Sequence, residues 1–265
     1  MRQTVLDKRI NFSCDFTDCT LLFNFVQLVY MKSIIIIPTY NERENVVKMA
    51  HAIMNLGCDF SILFVDDNSP DGTAKLIEEL VELYPQNIFL ESRAEKQGLG
   101  TAYIFGFKWA LARNYTYVFE MDCDFSHDPN DIVRLLDACQ NGADVAIGSR
   151  YCKGGSVKNW PWKRIMMSYF ASVYVRMILW IPIKDTTAGF KCYKSLVLEK
   201  ILLDNITFKG YAFQICMKYA AFKHRFKLQE IPITFIDREL GESKMSSGIF
   251  KEAFFGVWKM RKMKL

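Results

Sequence analysis

The 265-residue chain has no C-x-x-C pair among its eight cysteines, Cys14, Cys19, Cys58, Cys123, Cys139, Cys152, Cys192 and Cys216. That scatter suits neither a zinc site nor a compact disulfide framework. It reads as reduced thiols in a cytoplasmic protein. Histidine is scarcer still: His51, His127 and His224 form no H-E-x-x-H pair, which argues against an all-histidine metal site. No run of about 20 residues is free of charge, so no clear transmembrane span is present. The nearest case, 165-IMMSYFASVYVRMILWIPI-183, is interrupted by Arg176. Two nucleotide signatures are also missing. There is no G-x-x-x-x-G-K-[ST], which excludes a P-loop, and 98-GLGTAY-103 has Tyr103 where the third glycine of a dinucleotide fingerprint belongs.

What remains is a folded, mildly basic protein. Hydrophobic residues make up 51% and charged residues 24%, a balance that suits a globular chain rather than a disordered one. The net charge of +5 is too small to argue for nucleic acid, and no nucleic-acid partner is expected. Aromatics at 14% imply a heavy core or a surface that meets lipid or another protein.

From Met31 the pattern alternates short apolar runs with helical stretches. Strands are expected at 33-SIIIIP-38, 61-SILFVD-66, 87-NIFLES-92, 117-YVFEMD-122 and 144-DVAIGS-149. Runs apolar throughout are what parallel strands covered on both faces require. Helical periodicity fills 42–57, 72–85, 98–114 and 128–142, with Asn41, Asp71 and Asp128-Pro129 as start signals. The class is therefore α/β with a mostly parallel sheet and helices on both faces. Later come a long apolar helix, a second helix near 210–224, a strand at 227–235 and a basic C-terminal stretch. Residues 1–30 read as an extension outside the fold, with a short membrane-associating helix as the alternative. Residues 31–235 form the main domain and 236–265 an appendage.

In open α/β sheets, ligands bind beyond the carboxyl ends of the strands. Here those ends carry 38-PTYNE-42, 66-DDNSPDGT-73, 122-DCD-124 and Ser149-Arg150. Asp66, Asp67, Asp122 and Asp124 together exceed what ordinary caps and turns need. Carboxylates attract a diphosphate only through a divalent cation, and hard oxygen ligands in a D-x-D suit Mg²⁺ or Mn²⁺. In an extended chain Asp122 and Asp124 point the same way, toward the crevice, while Cys123 turns into the core.

The set P-T-Y-N-E, D-D-N-S-P-D-G-T, G-L-G-T-A-Y and M-D-C-D-F-S-H-D-P resembles inverting glycosyltransferases of family 2, with the GT-A nucleotide-diphospho-sugar transferase fold. The later motifs 148-GSRY-151, 154-GGSVKNWPWKR-164, 185-DTTAGFKCY-193, 209-KGYAFQ-214 and 237-DRELGESKM-245 narrow the resemblance to dolichyl-phosphate (polyprenol-phosphate) mannose synthases. It covers about residues 33–250. The resemblance implies that Pro38, Tyr40 and Glu42 border the base and ribose, with Asp67 nearby, and that Asp122 and Asp124 hold the metal and the sugar diphosphate. Ser126 stands where some relatives place a glutamine ligand, so a side-chain metal contact there is not implied. Arg150, Arg164 and Ser168 would receive the lipid phosphate, and Arg238 and Lys244 would close over the reacting phosphates from a mobile acceptor loop.

The implied reaction moves mannose from GDP-mannose to dolichyl or polyprenyl phosphate, with inversion and release of GDP. A phosphate monoester is already an anion, so it attacks without a general base. The enzyme must instead screen two anions, and metal, Arg and Lys do that. A lipid acceptor calls for a membrane-facing surface. In 249-IFKEAFFGVWKMRKMKL-265, Ile249, Phe250, Ala253, Phe254, Val257 and Trp258 fall at helical spacing among lysines, as in interfacial helices, although a core helix is the alternative. Some relatives carry two C-terminal transmembrane helices. This chain ends before any, so either it is peripheral on the cytoplasmic face of a membrane or a separate membrane subunit anchors it. Three other readings stay open: transfer of another sugar, as from UDP-glucose, to a lipid or glycan; an inert binding module; and a nucleotidyltransferase. The last would show a glycine- and arginine-rich phosphate loop, which 38-PTYNERENV-46 is not.

Overall fold

The structure, a computed structural model, describes residues 31–237 and 247–264. The N-terminal extension, Arg238 and Lys244 lie outside the described residues.

Four isoleucines in a row explain how the sheet forms. In β1 (Ser33–Thr39) side chains alternate across the pleat. Ile34 and Ile36 enter the core on one face, Ile35 and Ile37 the core on the other, and all four are fully buried. Each such side chain contributes about 1.5–3 kcal/mol on burial, so β1 is stable only with both faces covered. Its parallel neighbours are β2 (Phe60–Asp66) and β4 (Tyr117–Glu120), and β3 (Ile88–Ser92) adds to β2. The face of Ile35 and Ile37 is covered by α1 (Val46–Met54), α2 (Thr73–Leu83) and α4 (Asp131–Gln140). The opposite face is covered by α3 (Leu99–Ala112), α5 (Trp162–Leu179), α6 (Ser195–Lys200) and α7 (Tyr211–Lys223). The closing helix α8 (Ser247–Lys262) packs on α7 and α5.

The seven strands run in the order β3-β2-β1-β4-β7-β5-β8. The expected parallel strands are all present, with β5 at Val145–Ser149. Within this sheet one strand was not expected: β7 (Lys191–Lys194) inserts antiparallel between β4 and β5. Its K-C-Y-K sequence hides it, because a buried lysine does not read as core. Lys191 is fully buried opposite Glu120 in the ladder and pairs with it at 2.9 Å. Tyr193 donates a hydrogen bond to the same carboxylate at 2.9 Å.

The strand expected at 227–235 divides at Ile233. β8 (Leu228–Pro232) stays in the main sheet, while β9 (Thr234–Ile236) pairs with β6 (Ser156–Lys158) in a separate two-stranded ribbon. Proline cannot donate to the ladder, so Pro232 is a natural break. Asn41 is not a helix cap. It adopts a left-handed conformation with φ 55°, and α1 begins only at Val46. Asp71 does serve the start of α2, accepting from the Thr73 backbone at 3.0 Å and from its hydroxyl at 2.6 Å.

Candidate active site

The strand ends β1, β2, β4 and β5 open into one cleft of about 370 Å³. Pro38, Tyr40 and Glu42 form its wall beyond β1, with Lys96 stacked over the Tyr40 ring at 4.1 Å. Asp67 lines the same end and pairs with Arg93 at 2.5 Å. Burial raises its carboxyl pKa, and Arg93 opposes that shift. Asp66 faces the other way. It is 1% exposed and accepts from Thr39 Oγ1 at 2.9 Å, Ser69 N at 2.9 Å and Ser69 Oγ at 2.6 Å. Its role is to staple the β1 and β2 exits, so the four-aspartate crevice of the sequence reading reduces to three.

Asp122 and Asp124 both line the cleft, as does the small surface that Cys123 leaves exposed. Cys123 is otherwise buried in the core, as expected. The geometry that achieves this is not an extended strand. β4 ends at Glu120, the chain bends, and Phe125 takes a left-handed conformation with φ 57°. Tyr103 donates to Asp122 Oδ1 at 3.3 Å. The Ser126 backbone donates to Asp124 Oδ1 at 3.1 Å, and its hydroxyl donates to the same oxygen. Ser126 thus orients Asp124. Among the described residues no group of three or more His, Cys, Asp or Glu side chains converges. The donor set of the D-x-D is all hard oxygen, which fits Mg²⁺ or Mn²⁺.

Across the cleft stands Arg150, 8% exposed. Its Nε and Nη2 form a bidentate pair with Asp185 at 2.7 and 2.6 Å, and Nη2 also donates to Thr187 at 2.8 Å. Burial works against the Arg150 charge, but Asp185 more than restores it. In Asp185 burial likewise raises the carboxyl pKa, and Arg150 overcomes this and leaves it below the ordinary value. With Nε and Nη2 engaged by Asp185 and Thr187, Arg150 does not present a whole free fork to a ligand. Arg164 is more open: it lies 4.0 Å over the Trp160 ring and pairs with Asp237 at 3.0 Å. Both arginines line the cleft; Ser168 does not, and neighbours Tyr151 instead.

Several residues in the cleft wall or behind it carried no sequence signal of their own. His127 sits between the rings of Phe190 and Phe235, with centroids 5.1 and 5.3 Å away. Burial holds its imidazole down at about 4, so it is neutral at physiological pH. Asp185 lies in a quoted motif, yet nothing in its spacing revealed the partner 35 residues away. Lys191 and Lys218, both fully buried, converge on the Ala188 carbonyl at 3.3 and 2.6 Å. They hold the segment that forms the cleft wall before β7.

The sequence profile described as "Glycosyl transferase family 2" matches residues 34–202, well over half of the chain. The chain belongs to glycosyl transferase family 2. This family 2 transferase is 47% identical over 232 residues to the polyprenol monophosphomannose synthase of Mycolicibacterium smegmatis, covering 87% of this chain and 88% of that protein. It is 43% identical to the undecaprenyl-phosphate mannosyltransferase of Micrococcus luteus, covering 86% and 93%. It is 38% identical to the dolichol-phosphate mannosyltransferase of Pyrococcus furiosus, covering 88% and 64%. Among solved structures, glucosyl-3-phosphoglycerate synthase from Mycobacterium tuberculosis aligns with a TM-score of 0.66 at 12% identity, over 90% of this chain and 83% of that one. The same enzyme in complex with Mn²⁺, UDP-glucose and phosphoglyceric acid aligns with a TM-score of 0.66 at 13% identity, covering 90% and 82%. At that identity the likeness concerns the fold, which is the GT-A arrangement expected from the motifs.

Proposed function

We propose that this family 2 transferase moves mannose from GDP-mannose to a polyprenyl phosphate, releasing GDP. Mannosyl transfer to polyprenyl phosphate is the activity named for relatives that match most of the chain at 38–47% identity. The geometric observation that carries the reading is one cleft with two carboxylates on one side and two arginines on the other. A sugar diphosphate needs the first, through a divalent cation, and a phosphate monoester needs the second.

In the transfer, an oxygen of the acceptor phosphate donates its electron pair to the anomeric carbon. The bond from that carbon to the diphosphate breaks, and its electrons leave on GDP. Attack opposite the leaving group turns an α-linked donor into a β-linked product. No proton is removed from the nucleophile, so no base is required. That agrees with a cleft whose buried histidine, held down at about 4, is a weak base. Arg150 and Arg164 hold the acceptor phosphate and lessen its repulsion from the donor. Asp122 and Asp124 would hold Mg²⁺ or Mn²⁺, which supplies positive charge to the departing diphosphate. Pro38, Tyr40, Glu42 and Asp67 would border the base and ribose; Arg238 and Lys244, which the family resemblance adds to the site, lie outside the described residues.

The acceptor's prenyl tail places the reaction at a membrane surface, and we assign the protein to the cytoplasmic face as a peripheral enzyme. No described helix is long and apolar enough to cross a membrane. Support comes from α5 and α8. Tyr174 stacks on Phe254 at 4.8 Å and accepts a hydrogen bond from Trp258 Nε1 at 3.0 Å, joining the two helices. Trp162, Phe170 and Phe255 on them, and Trp180 at the C-terminal cap of α5, are 58–77% exposed. Large apolar side chains left to solvent on helices that also carry Lys163, Lys259 and Lys262 suit a lipid interface. A radiolabelled panel of sugar nucleotides with a polyprenyl phosphate acceptor tests the donor. Label is expected in lipid from GDP-mannose; incorporation only from UDP-glucose would overturn the assignment.

A further inference from the structure

Between the carboxylates beyond β4 and Arg150 beyond β5, the sheet order places β7. The cleft wall ahead of that strand is Thr187, Ala188 and Gly189, and Gln214 of α7 lines the cleft beside them. Gln214 is 3% exposed, and the two ends of its amide are not interchangeable. Oε1 accepts a hydrogen bond from Lys191 Nζ. An ammonium has three donors and no lone pair, so only the amide oxygen can occupy that contact. Nε2 therefore lies on the other side, and it has no hydrogen-bond partner among the described residues. A buried donor without an acceptor is destabilising, and native proteins keep one where something outside the chain completes it.

Gly189 locates the point this donor addresses. A Cβ on that residue would lie 3.6 Å from Gln214 Nε2 and 3.8 Å from Asp122 Oδ2. The space above the glycine is thus bounded by the amide on one side and by the D-x-D carboxylate on the other. The row of strands supplies the order of the reacting parts. Base and ribose contacts lie beyond β1 and β2, the diphosphate carboxylates beyond β4, and the first acceptor arginine beyond β5. A hexose bonded to the diphosphate and attacked by the acceptor phosphate must lie between the last two, over the start of β7.

We propose that Gln214 Nε2 donates a hydrogen bond to a hydroxyl oxygen of the transferred hexose, and that Gly189 leaves room for the ring. This inference rests on the proposed sugar transfer and names the residue that reads the sugar. A neutral amide suits a neutral hydroxyl, while cations serve the phosphates on either side. Lys191 acts as a positioning residue: Glu120 holds it at 2.9 Å, and it holds the amide.

The test uses full-length Gln214→Glu and Gln214→Leu with undecaprenyl phosphate, GDP-mannose and monodeoxy forms of GDP-mannose at each ring position. Gln214→Glu keeps an oxygen for Lys191 and loses the donor; Gln214→Leu loses both. Wild-type protein is expected to use one deoxy form about tenfold less well in kcat/KM than GDP-mannose, the effect of one lost hydrogen bond. Both variants should lose about tenfold on GDP-mannose and nothing further on that deoxy form, with GDP affinity by calorimetry unchanged. Gly189→Ala, whose methyl meets its neighbours at ordinary contact distances, should weaken GDP-mannose and leave GDP binding intact. Equal losses across every deoxy form, a matching loss of GDP affinity, or unaltered kinetics in either Gln214→Glu or Gly189→Ala would overturn the inference. Should wild-type protein accept another donor, the donor assignment fails by itself, and the same ratios are read with deoxy forms of that donor.

Discussion

Arg150 and Asp185 show how much a single pair can decide at the residue scale. Asp185 is fully buried, and its carboxylate takes both the side chain and the backbone N–H of Arg150. Removing one partner of such a pair strands the other's charge, at a cost of about 3–5 kcal/mol. Asp185→Asn is therefore expected to lower the urea midpoint strongly and to lower turnover with it. Folding depresses the Asp185 pKa, so its contribution is complete above the unfolded value near 3.9 and is lost as pH falls further. His127 acts in a different window. Its imidazole titrates at about 4 when folded, against roughly 6.5 when unfolded. Between those values the unfolded chain binds a proton that the folded chain refuses, so stability falls as pH drops from ~6.5 to ~4, by about 3 kcal/mol in all. In metal-free buffer, urea midpoints measured across that range should show the decline, and His127→Phe should flatten it. Asp124→Asn keeps the shape and removes the charge; a loss of at least about 100-fold in kcat is expected, with the fold intact by circular dichroism. Of these residues the D-x-D was legible in the sequence, because two acids at a strand exit have few structural uses. The Arg150 partner was not, since an ion pair across 35 positions leaves no local pattern.

At the scale of elements, the sheet was readable where burial on both faces produced continuous apolar runs. It was not readable in β7, where Lys191 and Glu120 satisfy each other inside the sheet. The crossing of α3 over β1 carries a sharper expectation. A Cβ on Gly106 would meet Ile36 Cγ2 at 2.6 Å, well inside contact distance. In an exposed helix Gly→Ala stabilises by about 1 kcal/mol. Here overpacking of about 1–3 kcal/mol opposes and exceeds that gain. Gly106→Ala should lower the urea midpoint without changing the m-value, and a stabilised variant would show that α3 can move off the sheet. The closing helix was anticipated as one apolar stripe, but tertiary contacts divide it. Val257 and Met260 are fully buried, whereas Phe254, Phe255 and Trp258 are 53–69% exposed.

For the whole molecule, the expectation concerns that exposed set. Each large apolar side chain transferred from water to the interface contributes about 1.5–3 kcal/mol when fully buried, so a partly inserted one gives roughly tenfold in binding. Trp180→Glu and Phe255→Glu should each lower partitioning to anionic liposomes by about that factor in a flotation assay. Turnover of a short, water-soluble prenyl phosphate should stay near wild type. Loss of both together would point to a packing role for these side chains instead.

What the sequence determined by itself was the α/β class, the parallel strand ends and the residue types of the site. Hydrophobic periodicity and charged motifs are local, and a reader of the chain meets them intact. Tertiary structure alone decided which of those residues share the cleft. It turned Asp66 inward as a staple, tied Arg150 to Asp185, moved Ser168 aside and brought Gln214 to the carboxylates. Those outcomes depend on strand order and on buried partners far apart in the chain, and distance along a sequence carries no record of either. For Y-V-F-E-M-D-C-D the apolar run foretold the strand, but the bend after Glu120 is what aims both aspartates into one cleft.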